Sequence, residues 1–129
     1  MNREIKFRVW DKKYSRWENM LMLLPNGDIC YEQNGEVNIV RNRFIIQQYT
    51  GLKDFNGKEI YEGDILDISG KEWGDYKYVF VEWNSEISSW QTSDEIAFYD
   101  WEAWEGISMD ECPIVGNVFE NPELLKNNS

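Results

Sequence analysis

The chain has 129 residues and a formal net charge of −11, with 16% aromatic residues, seven Trp, two Cys and no His. That length suits one domain that folds without disulfides or metal. Lack of His removes the commonest general base and transition-metal ligand, and the acidity disfavours ordinary binding to phosphate backbones.

Charge is unevenly placed. Residues 1–16 carry six Lys/Arg against Glu4 and Asp11, whereas residues 78–125 carry 11 acids and no Lys or Arg. The basic segment is expected to meet the acidic half within the fold or across a subunit contact. Cys30 and Cys112 match no metal or redox spacing and read as free buried thiols in a reducing cytosol. The opening MNREIKFRVW lacks the apolar core of a signal peptide, and no apolar run approaches the roughly 18 residues of a membrane span.

In chain order, Glu4 to Trp10 alternates, with Ile5, Phe7 and Val9 on one side and Lys6, Arg8 and Trp10 on the other. This period predicts a half-buried antiparallel strand. Asp11 to Ser15 reads as a connection, and Trp17 to Leu24 as a second strand. Pro25-Asn26-Gly27-Asp28 is a turn. Ile29–Gln33 and Glu36–Val40 form a hairpin around Asn34-Gly35, the strongest two-residue hairpin signal in the chain. Phe44 to Tyr49 resumes the apolar pattern.

Residues 50–66 hold two turn signals. Asp54-Phe55-Asn56-Gly57 predicts a tight turn with Asn and Gly at positive φ. Glu62-Gly63-Asp64 predicts a second bend, fixed by the Asp64 carboxylate, that opens into Ile65, Leu66 and Ile68. Tyr76 to Trp83 is the strongest strand signal, with Val79, Val81 and Trp83 on one side. Ser88 to Thr92 is a short strand around Trp90. Residues 94–111 fit either strand-plus-loop or a short helix. Ile114 to Phe119 predicts a last strand, and Asn121-Pro122-Glu123 a helix start with Asn121 as N-cap. About nine short strands with frequent turns argue for an all-β barrel or sandwich. Residues 1–49 form a hairpin-rich half packed on a barrel-like half, 50–129.

Three segments carry a resemblance. Glu4-Ile5-Lys6-Phe7-Arg8-Val9-Trp10-Asp11 resembles the REIKFRAWD-type opening of the YopX family. Residues 50–65 resemble its central signature TGLKDKNGKEIYEGDI, with Phe55 where a charged or polar residue is commoner. Val115 to Leu125 resembles its closing GNIYENPEL segment. The resemblance implies a phage- or prophage-encoded cytoplasmic protein, mostly β, with an SH3-like barrel in the C-terminal half. It carries no catalytic residues.

Candidate chemistry is sparse. Asp64 and Asp67 could pair on a hard cation, but a bend cap and a solvent-facing strand position explain them as well. Cys112 has no His to activate it. A weak metal-dependent enzyme is the third-ranked reading, and no cofactor or metal is expected. Trp73, Trp101 and Trp104, with Asp100, Glu102 and Glu105, are the candidate protein-binding residues, since Trp is enriched at interface hot spots. The first reading is a non-enzymatic interaction or assembly protein, a homo-oligomer or the partner of a host or phage protein, with no membrane contact. The alternative is an acidic decoy that mimics nucleic acid, with Asp94, Glu95, Asp110 and Glu111 extending the carboxylate row toward a host DNA-binding protein.

Overall fold

A computed structural model describes residues 4–19, 21–69, 77–93 and 112–126. The strands are β1 (Phe7–Asp11), β2 (Arg16–Glu18), β3 (Met22–Leu23), β4 (Ile29–Gln33), β5 (Glu36–Val40), β6 (Phe44–Lys53), β7 (Glu59–Tyr61), β8 (Asp64–Asp67), β9 (Tyr78–Asn84), β10 (Ser89–Thr92) and β11 (Ile114–Asn117). One helical turn, α1 (Glu123–Lys126), follows. The described fold is all-β, and every strand pairing is antiparallel. The chain divides into two compact units, residues 6–48 and residues 1–5 with 49–129.

In the first unit β1 lies between β2 and the start of β6. Its buried residues are Trp10 and Asp11, while Ile5 and Phe7 are exposed. Trp10, on the side expected to be polar, is thus covered, and Asp11, on the side of Phe7 and Val9, is buried as well. Trp10 sets its ring edge-on to its cross-strand partner Trp17 at 4.9 Å, with the Arg8 guanidinium 4.3 Å from the Trp17 centroid. Asp11, expected in a connection, ends β1 with no exposed surface and takes a two-pronged bond from Arg43, Nε at 3.0 Å and Nη2 at 2.8 Å. The predicted strand Trp17–Leu24 is split, because Glu18 pairs with Val9 on β1 whereas Met22 pairs with Cys30 on β4. The ion pairs Arg16–Glu18, Arg41–Asp28 and Arg43–Asp11 all lie inside this unit.

In the second unit the strand order is β10-β9-β8-β11. Ile60, Leu66, Ile68, Val79, Val81 and Cys112 form its core, with Trp90 and Ile114 packed on them. Val79 and Val81 share a face of β9, as predicted, but Trp83 on that face is exposed near the hairpin end.

Residues 50–53 extend β6 beyond the Phe44–Tyr49 pattern, and Glu59–Tyr61 adds β7. Tyr49 pairs with Tyr61 and Lys53 with Glu59, so the pairing shifts by two residues on the β6 side. Gly51 takes up this bulge with a φ of 89°, which few other residues adopt without strain. The Thr50 hydroxyl donates to the Ile60 carbonyl at 2.8 Å across the gap.

In the following turn only Gly57 has positive φ (80°), and Asn56 does not. The second bend matches expectation. Gly63 has a φ of 84°, and Asp64 accepts the Tyr61 N–H at 2.8 Å. Asn121 opens α1 with its backbone carbonyl, which accepts the Leu124 N–H at 3.2 Å, but not with its side chain. Its side chain accepts the Asn117 N–H, turning back toward β11 rather than into α1.

Candidate interaction surface

The sheet β3-β4-β5 of the first unit is built from two turns. In Pro25-Asn26-Gly27-Asp28, Gly27 has a φ of 92° and donates its N–H to the Leu24 carbonyl, and Leu24 donates to Asp28. Asn34 and Gly35, at φ 54° and 80°, close the β4-β5 hairpin with the left-handed pair that matches strand twist. Met22 lies opposite Cys30, Cys30 opposite Ile39, and Glu32 opposite Val37. Side chains alternate along a strand, so Met22, Cys30, Ile39, Glu32 and Val37 share one face, and Tyr31 and Asn38 the other.

Cys30 is buried at the centre of that face, yet the residues around it are open: Met22 is 46% exposed, Ile39 51% and Val37 63%. The ion pair Arg41–Asp28 ends the row. In the order β3-β4-β5, the outer strand β5 has β4 as its single neighbour among the described residues.

A second feature of the same unit is an open groove of about 470 Å³ lined by cations and rings, including Lys13, Arg16, Arg43, Tyr14, Tyr31 and Phe44. Arg43 stands 5.1 Å from the Tyr14 centroid and 4.8 Å from that of Phe44. Arg43 holds the Asp11 carboxyl well below its ordinary range, opposed by burial and helped by the Lys13 and Tyr14 N–H groups. Both arginines already have carboxylate partners, so the groove is nearly balanced in charge.

The YopX protein family matches residues 6–126. The chain belongs to the YopX family. Its fold is similar to the crystal structure of protein EF1440 from Enterococcus faecalis, at 25% identity and a TM-score of 0.64, over 96% of this chain and 99% of that one. No curated protein matches.

For this YopX-family chain the candidate binding residues Trp73, Trp101, Trp104, Asp100, Glu102 and Glu105 lie outside the described residues, as do Asp94, Glu95, Asp110 and Glu111. Asp64 is buried and occupied with the bend. Asp67 accepts from the Ser69 N–H and hydroxyl. No group of three or more Asp, Glu or Cys suited to a metal occurs among the described residues. Cys112 is fully buried in the core. No helix among the described residues is long and apolar enough to cross a membrane.

Sequence reasoning missed Met22, Val37 and Ile39 as a surface. Strand identity and alternation were readable for Glu36–Val40, but nothing local says that its apolar side lacks a cover. Asp54 was also missed beyond its turn. It is buried, and its Oδ1 accepts the Asn56 and Lys58 N–H groups while Oδ2 accepts the Ile114 N–H, 60 residues away.

Proposed function

We propose that this YopX-family chain is a non-enzymatic interaction or assembly module of phage or prophage origin, working in the bacterial cytoplasm, and that Met22, Val37 and Ile39 form its contact row. The observation that carries this is three large apolar side chains, each 46% exposed or more, together on one face of a sheet whose outer strand is open among the described residues. Contiguous exposed apolar surface of this kind marks interaction sites on soluble proteins. The SH3-like form of the C-terminal barrel belongs to the same proposal, and the β10-β9-β8-β11 ladder supports it.

The test compares capture of partners from host lysate by wild type and by Val37→Lys/Ile39→Lys. Loss of a specific captured protein in the variant, with the fold intact by circular dichroism, supports the contact row. Identical capture removes it.

The charge distribution favours a second reading, the acidic decoy. Residues 6–48 hold seven Lys/Arg and five Asp/Glu, a balance of +2, whereas the other unit holds six against 19, a balance of −13. Under this reading the captured protein is a DNA-binding protein and is released by salt. Capture that persists at high salt speaks for the apolar row instead.

A further inference from the structure

The edge of β5 left open among the described residues has a geometry of its own. A two-residue hairpin closes on a pair that exchanges both backbone hydrogen bonds, here Gln33 and Glu36. Bonded and non-bonded pairs then alternate, so Tyr31–Asn38 and Ile29–Val40 are bonded too. Val37 and Ile39 therefore aim their N–H and C=O groups away from β4, at the open edge. Edge strands are normally blunted by Lys, Pro or a bulge. Glu36–Val40 contains no Lys or Pro, its pairing to β4 is unbroken, and its one charge, Glu36, sits at the end.

We infer that β5 pairs with β5 of a second copy, antiparallel, on a two-fold axis through Asn38. This rests on the reading of the chain as an interaction module and names its partner. Self-complementarity carries the choice. Only a register centred on a residue sets outward-facing groups against outward-facing groups, and centring on Asn38 overlaps all five residues. Val37 then meets Ile39 of the second copy twice, giving four backbone hydrogen bonds across the joint. Glu36 meets Val40, so no like charges are opposed. Both apolar rows lie on the same face and merge into one six-stranded sheet. The contact is isologous and closes at two copies.

The experiment is cysteine cross-linking in the full chain. Across the axis the two Asn38 residues form a non-bonded pair, with Cα atoms about 4.5 Å apart, inside the disulfide range of about 4.4–6.8 Å. Cys30 and Cys112 are buried and do not compete. Under mild oxidation Asn38→Cys is expected to give a reducible covalent dimer. Glu36→Cys, on the same face but displaced from the axis, is expected to give little. Wild type should sediment as a dimer at tens of micromolar, more firmly at high salt because each copy carries −11. Adding Val37→Lys and Ile39→Lys to Asn38→Cys should abolish the cross-link.

Equal cross-linking of the two cysteine variants overturns the register. A wild-type monomer at low and high salt overturns the pairing. If that monomer still captures a partner through Val37 and Ile39, the contact row survives and self-pairing does not. If capture is also unchanged by those substitutions, both fail.

Discussion

Replacing Arg43 should harm the first unit more than replacing Asp11, although the two share one ion pair. Asp11 has no exposed surface, whereas the Arg43 side chain is 25% exposed. Removing the guanidinium leaves a carboxylate away from water with two backbone donors, Lys13 N–H at 2.9 Å and Tyr14 N–H at 3.4 Å. An uncompensated buried charge of this kind costs about 3–5 kcal/mol. Asp11→Asn keeps an acceptor for those donors and leaves a cation that reaches solvent, so the cost is about 1.5–3 kcal/mol, that of charged hydrogen bonds.

The two variants also differ in their response to pH. In wild type the Asp11 carboxyl lies below its ordinary value, chiefly through the Arg43 bond. Its contribution is therefore complete above the unfolded value of about 3.9 and is lost only as pH falls below it. In Arg43→Met the largest single influence left is burial, which raises that value, so the variant should recover stability between pH 7 and pH 4. Asp11→Asn should not. Hydrogen exchange of peptides within residues 6–48, read by mass spectrometry at both pH values, measures the opening of this unit alone. The reasoning is refuted if Arg43→Met opens no more readily than Asp11→Asn at pH 7, or gains nothing on acidification.

Two further outcomes follow from the second unit. Asp54→Asn sets an amide N–H₂ or a weakened acceptor against three backbone donors, and should cost about 1.5–3 kcal/mol in urea unfolding, with the Ile114 amide losing exchange protection. At Gly116 a β-carbon would fall under 3.0 Å from three side-chain atoms of Asn121. Gly116→Ala should cost about 1–3 kcal/mol by thermal unfolding, and adding Asn121→Ala should return part of it.

What could be read from the sequence was what neighbours in the chain decide. Asn34-Gly35, Gly27 and Gly63 sit at turns that their own backbone freedom makes, and Val79 and Val81 alternate into the core as β9 requires. What escaped depended on distant partners. The apolar pattern of β6 was read only as far as Tyr49, yet the strand runs on to Lys53, and the Thr50 hydroxyl bonds across to β7. Trp17 to Leu24 looked like one strand because its apolar run does not show that its ends serve β1 and β4. The contact row was invisible for a related reason. Val37 and Ile39 have the pattern of a buried face, and only the absence of a layer over them among the described residues makes a surface.

The carboxylate of Asp54 imposes an order on synthesis. Its first oxygen is satisfied within four residues, as soon as Lys58 has emerged, but its second waits for residue 114. A ribosome must add some three-score residues in the interval, at rates that make this a matter of seconds. A nascent chain that has not reached that point would hold the turn but leave this oxygen without its Ile114 donor, so β11 closes what the turn leaves open.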